Sequence, residues 1–201
     1  MLKKGDRSTA ANYRPTMTSI CSKIIEHIIF SQVMDHYNDY EILTDAQHGF
    51  HPGRSCETQL VITTQDPAKA LDDRGQVDAI VLDFSKAFDR VPHQHLLLKL
   101  HQYGIRGPLQ MWIENFLTKR SQRVVIDGKL SDWVNLTSGV PQGTVHGPLL
   151  FLTFINKLPS GISSKICLFA DDCLPYGTIT NVSDTVILQQ DLDCLQQWTN
   201  T

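Results

Sequence analysis

Lys165-Ile166-Cys167-Leu168-Phe169-Ala170-Asp171-Asp172 is an apolar run that ends on two acids. Residues 165–170 read as a strand, and a carboxylate at the end of a buried strand is costly to desolvate unless something positive meets it. A second stretch has the same form. Val77 to Phe84, VDAIVLDF, is apolar enough for a strand buried on both faces, and it carries Asp83 near its exit. Hard divalent cations such as Mg²⁺ are the usual partners of such acids, because they take oxygen ligands and keep several waters. Three acids on two adjacent strands would suit a pair of ions roughly 3.5–4 Å apart, the clamp used for in-line phosphoryl displacement. The dipeptide alone does not establish this. Asp72-Asp73, inside the polar run Asp72 to Gln76, reads as a solvated turn.

Outward from these strands the chain alternates helices and short extended segments. Ile20, Ile24 and Ile28, with Ile25, Ile29 and Val33 beside them, predict an amphipathic helix from Thr18 to Tyr37. Gln47 to Ser55 is polar and turn-rich and reads as a loop. Residues 57–71 read as helical, interrupted at Pro67. Helices are expected at 94–103 and 108–118, then a hairpin from Arg123-Ile126 through Asp127-Gly128 to Trp133-Val134. Gly147 to Leu158 reads as a buried helix with Pro148 near its start, and Val182 to Trp198 as a closing amphipathic helix. This mixture points to an α+β fold rather than a regular βαβ alternation.

Composition narrows the class. Hydrophobic residues make up 41% of the 201 and charged residues 19%, enough apolar material for a core. No apolar run is long enough to span a bilayer as a helix, and the N-terminal residues lack the apolar region of a secretory signal. An intracellular protein, nuclear or cytoplasmic, is expected. Five cysteines without a C-x-x-C pair argue against a disulfide framework or a zinc knuckle. Net charge is −3, yet residues 80–130 hold 8 basic and 4 acidic side chains. A phosphate-tracking surface around Arg106, Lys119, Arg120 and Arg123 would use that excess, and a plain solvated face would explain it equally well. His93-x-His95 lacks a third and fourth ligand at useful spacing. Trp112, Trp133 and Trp198 read as core or interface residues rather than base-stacking platforms.

Five blocks in order then resemble the reverse transcriptase domain of non-LTR (LINE-type) retrotransposons. Ala11-Asn12-Tyr13-Arg14-Pro15 resembles the first fingers motif, and Gln47-His48-Gly49-Phe50 with Gly53-Arg54-Ser55 the second. Leu82-Asp83-Phe84-Ser85-Lys86-Ala87-Phe88-Asp89 resembles polymerase motif A. Ser138-Gly139-Val140-Pro141-Gln142-Gly143, followed by Gly147-Pro148-Leu149-Leu150, resembles motif B, and Phe169-Ala170-Asp171-Asp172 motif C. The resemblance implies a polymerase palm (76–201) with partial fingers (1–75), a small antiparallel sheet packed against helices, and no thumb.

It also implies RNA-directed DNA polymerisation, with an RNA template, a DNA primer, dNTP and two Mg²⁺ ions, Mn²⁺ being a possible substitute. Asp83, Asp171 and Asp172 match the metal-binding triad; Phe88 matches the aromatic gate that excludes a 2′-hydroxyl. Gln142 and Gly143 match positions near the nucleotide, Arg14 and Arg54 basic fingers positions, and Phe84 and Ser85 backbone neighbours of metal and triphosphate. Asp89 reads as a structural acid or helix cap. A remnant that keeps the fold without turnover and a group II intron maturase are the alternatives. Pro67, His146, Lys157 and Pro175 depart from the pattern and suggest a decaying copy.

Overall fold

The computed structural model describes residues 20–126 and 128–199. In chain order, α1 (Ile20–Asp39) and α2 (Cys56–Asp72) precede β1 (Gln76–Ala79) and β2 (Leu82–Asp83). Three helices follow: α3 (Ala87–Arg90), α4 (His93–Gln102) and α5 (Gly107–Leu117). Next come four short strands, β3 (Arg120–Gln122), β4 (Val125–Ile126), β5 (Lys129–Leu130) and β6 (Val134–Leu136). The chain then forms α6 (His146–Ile155), β7 (Lys165–Phe169), β8 (Asp172–Ile179) and α7 (Val182–Thr199). The α+β expectation holds, and no described helix is long and apolar enough to cross a membrane.

Two compact units interleave along the chain. One takes the described residues up to Ile42 and then Lys86–Phe154; the other takes Leu43–Ser85 and the described residues from Ile155. In the first, Val33 and Tyr37 of α1, Leu96 and Leu100 of α4, Ile113 and Leu117 of α5 and Leu149–Leu152 of α6 are buried. The isoleucine stripe expected to be the core face of α1 is not: Ile24 and Ile28 are 57% and 61% exposed. Hydrogen bonding selects the other face. Tyr37 shares a buried hydroxyl contact of 2.9 Å with Thr153, and Glu26 accepts the Val145 amide at 2.7 Å. Polar groups that must be buried need their partners, so their needs outrank a stripe of isoleucines.

In the second unit β8 is the central strand. One edge pairs antiparallel with β7, and the other with β1 and then β2 in a single register, from Gln76↔Ile179 to Asp83↔Asp172. Residues 46–48 add a short parallel bridge on β7, with His48 N–H donating to Leu168 C=O and Leu168 N–H to Ala46 C=O. Helices α2 and α7 pack on this sheet. The single strand expected over Val77–Phe84 is therefore two, and it is not buried on both faces: Val81 is 78% exposed. Pro175 lies opposite the break. Ile80 N–H donates to Pro175 C=O at 3.0 Å, but proline has no N–H to return. Pro67, by contrast, does not interrupt α2, which runs through it from a Ser55/Thr58 capping box.

Candidate active site

The acid-bearing end of the sheet is built by a tight turn. Phe169 pairs with Asp172, so Ala170 and Asp171 form a two-residue connection between β7 and β8. Ala170 has φ +56°, a left-handed conformation costly for a residue with a Cβ. A buried glutamine holds it there. The Gln47 side chain accepts the Ala170 N–H at 2.9 Å and the Gly49 N–H at 2.8 Å, and its amide donates to Ala170 C=O at 3.3 Å. Gly49 is required beside it, because a Cβ there would lie 2.3 Å from the Ala170 nitrogen. Gln47 is 2% exposed and thus fully committed to this turn.

Asp83 on β2 stands directly opposite Asp172 on β8. Both are exposed, while Asp171, in the turn, is half-buried. Two adjacent strands thus bring the carboxylates 83 and 172 to one sheet end, with 171 next in sequence. The hairpin register puts Asp172 on the strand, directly opposite Asp83, and Asp171 in the turn beside it. Among the described residues no three His, Cys, Asp or Glu side chains gather closely enough to hold one ion. Phe84 lies half-buried with its ring 6.1 Å from that of Trp198, and Ser85 is exposed.

Arg54 is held by Asp45 through both the carboxylate and the main-chain carbonyl. Its neighbour His48 is pushed below the usual histidine pKa, first by burial and then by the Arg54 charge. Arg14 lies outside the described residues.

In the other unit, α3 is fastened to the segment 138–142. Val140 N–H donates to Phe88 C=O, Gly139 N–H to Val91 C=O, and Ser138 Oγ to Asp89 C=O at 2.9 Å. The Gln142 amide donates to the Asp89 carboxylate at 2.7 Å. Asp89 is thus a structural acid, but it is not the helix cap; Lys86, at φ +56°, takes that position without a side-chain bond. Gly139, at φ +85°, admits Asp89 so closely that a Cβ would meet its carbonyl oxygen at 2.8 Å. Phe88 stacks on Phe151 with centroids 4.2 Å apart and planes 15° from parallel. His93 contacts Gly139 C=O at 2.8 Å, so this ring serves the same loop rather than a metal pair with the exposed His95. Phe88 and Gln142 therefore belong to one hydrogen-bonded assembly, and Gly143, exposed and at φ +78°, follows it in sequence.

Two functional candidates escaped the sequence. Gln47 was legible as part of a loop and of the second fingers motif but not as the holder of a turn, although the Ala at the first central position of a two-residue turn is a signal that something must hold it. Glu26 hides on an apolar helix. Trp133, read as a core or interface residue, is not core: it is 61% exposed, with the Arg123 guanidinium 4.5 Å over its ring.

One unit presents acids at the end of a strand pair and hairpin, and the other bonds a glycine-containing loop to a short helix. The chain belongs to the reverse transcriptase (RNA-dependent DNA polymerase) family, whose model matches residues 1–201. Its relatives include a probable RNA-directed DNA polymerase from transposon BS of Drosophila melanogaster, 34% identical over 74% of this chain and 16% of that protein. The X-element enzyme of the same species is 31% identical over 83% and 19%, and that of mobile element jockey 28% over 93% and 21%. These are non-LTR elements. The chain spans about a fifth or less of those relatives. Among solved structures, apo telomerase from Candida tropicalis superposes with TM-score 0.54 at 8% identity, covering 86% of this chain and 36% of that one. Telomerase from Candida albicans gives 0.52 at 14%, covering 82% and 31%. The fold is of the reverse transcriptase and telomerase type, with mixed helices and small antiparallel sheets.

Proposed function

We propose that this chain is a catalytic segment of an RNA-directed DNA polymerase, adding dNTP to a primer 3′-hydroxyl opposite an RNA template. The observation that carries the reading is the register that sets Asp83 opposite Asp172, beside Asp171, in a chain matching the family model throughout. The oxygen-only donor set at this sheet end, two exposed carboxylates and a half-buried one, fits hard divalent ions. Asp83, Asp171 and Asp172 would hold two Mg²⁺ ions, or Mn²⁺, which supply activation of the attacking hydroxyl and stabilisation of the leaving oxygen. In this reading residues 76–201 form the palm and 1–75 part of the fingers. Phe88 excludes a 2′-hydroxyl, Gln142 and Gly143 border the nucleotide, and Phe84 and Ser85 offer main-chain groups to it. Arg54 and Arg14 meet triphosphate or template, Arg54 after leaving Asp45.

The test is thermal unfolding with increasing Mg²⁺. The wild-type chain is expected to gain in Tm, and Asp171→Asn with Asp172→Asn to abolish the gain. A wild-type Tm indifferent to Mg²⁺ and Mn²⁺ would sink the assignment. One observation favours the second reading, a fold-retaining remnant without turnover: Pro175 removes a ladder bond next to the strand that carries Asp83. Primer extension separates the two. Mg²⁺-dependent stabilisation without extension marks the remnant.

A further inference from the structure

The β3–β6 ribbon carries a face that the acid site does not use. Its register pairs Ser121 with Asn135 and, on the opposite face, Arg120 with Leu136. Strand alternation places Arg123 and Trp133, the next same-face pair, alongside Ser121 and Asn135. The contact between the Arg123 guanidinium and the Trp133 ring, at 4.5 Å, agrees with that placement. All four are exposed, whereas Arg120 and Leu136 are half-buried and Arg120 Nε is spent on the Leu117 carbonyl. Lys129, at the tip formed by β4 and β5, is exposed as well.

Tryptophan and arginine also anchor protein interfaces, but there within an apolar core, whereas the same-face neighbours of Trp133 and Arg123 on this ribbon are Ser121 and Asn135. This face suits unpaired nucleic acid. Bases stack on an indole or on a guanidinium plane regardless of sequence, and amide, hydroxyl and cationic groups meet sugar and phosphate oxygens. The basic excess of residues 80–130 supplies the matching charge in a chain whose net charge is −3.

We propose that this ribbon face binds single-stranded RNA, with Trp133 and Arg123 as the stacking platform and Ser121, Asn135 and Lys129 as backbone contacts. The choice of RNA rests on the reading that the chain copies an RNA template; the platform itself rests on the ribbon geometry.

Fluorescence anisotropy of a labelled, unstructured RNA of about 12 nucleotides, titrated with the whole chain at low salt and in EDTA, tests it. Trp133→Ala is expected to weaken binding roughly tenfold, and Trp133→Phe to keep most of it. Arg123→Ala should also weaken binding and reduce the steepness of its salt dependence by about 0.7 in the log–log slope. Because these side chains are exposed, the variants should melt with the wild type. Equal affinity of wild type and Trp133→Ala, or no RNA binding by the wild type, overturns the proposal. A DNA strand of the same sequence bound as tightly overturns the assignment to RNA. Asp171→Asn with Asp172→Asn should leave this binding intact in EDTA, so failure of the metal site and failure of the ribbon give different results.

Discussion

Gln47 shows how one side chain fixes another residue's backbone. Ala170 sits in the left-handed region, and both its N–H and its C=O are satisfied by the Gln47 amide group. Gln47→Leu keeps the volume but leaves three buried main-chain groups, those of Ala170 and the Gly49 N–H, without that partner. At about 1–3 kcal/mol for each unsatisfied buried group, with some relaxation, a loss of roughly 3 kcal/mol in urea denaturation is expected. Gly49→Ala should cost a comparable amount by steric clash, and the two losses should be less than additive because they act on one turn. Full additivity would mean that Gln47 and Gly49 serve different ends. Phe88 is a second case where one ring has two duties. Its stack on Phe151 means that Phe88→Ala should lower stability by about 2 kcal/mol. In a longer, extension-competent form of the chain it should also admit ribonucleotides; unchanged discrimination would place the gate elsewhere.

At the level of elements, the sequence was informative where structure is local and less so where it is not. The helices at α4, α5, α6 and α7 follow from periodicity, proline placement and glycine, while the expected hairpin is found with β4 paired to β5 and Val134 paired to Gln122 instead of to residues 123–126. What failed was tertiary: the buried face of α1 was set by Glu26 and Tyr37, and the strand over Val77–Phe84 was divided by a residue far away in sequence. The acids were legible as a pair of strand ends, but not which of Asp171 and Asp172 would face Asp83, because a one-residue change of register exchanges them. Pro175 allows this level to be tested. It lies in a central strand, where Ile80 receives no N–H from it. Pro175→Val would restore that donor. The gain of a ladder bond and of β propensity, offset by a more flexible unfolded chain, leaves a net rise of about 1 kcal/mol. Amide exchange at Ile80–Asp83 should slow in parallel. No slowing would show that the Ile80 carbonyl already has another partner.

Across the whole molecule, acid stability depends on a buried group that the sequence flagged only as a departure from pattern. His146 is 1% exposed, enclosed by Trp112 and Phe116 with ring centroids at 5.2 and 5.7 Å, and neither ring nitrogen has a hydrogen-bond partner. Glu26, 2% exposed, approaches Nδ1 at 3.7 Å, beyond hydrogen-bond range, while its other commitment is the Val145 N–H. Two effects compete. Burial disfavours the imidazolium, and Glu26 favours it. Burial is the larger, His27 opposes the charge as well, and the pKa lies below the ordinary histidine value of 6.5. The imidazole is therefore neutral in the folded chain at pH 7. When the folded pKa is depressed, the unfolded chain takes up a proton that the folded chain refuses. The stabilisation is thus complete above pH 6.5 and is lost as pH falls from there toward the folded value. Asp66, held low by hydrogen bonds from Lys165 and Tyr176, loses its contribution only below the ordinary aspartate value of 3.8, whereas the His146 loss sets in from 6.5 downward. Urea denaturation between about pH 8 and pH 5 should show a plateau and then a decline, at most about 1.4 kcal/mol per pH unit for each such histidine. His146→Leu, which puts an apolar side chain into the same aromatic enclosure, should reduce that decline to the share that His48, also held below the ordinary histidine value, contributes. A decline unchanged in the variant would assign the proton to another group, and greater stability on the acid side would show that the pairing with Glu26 outweighs burial.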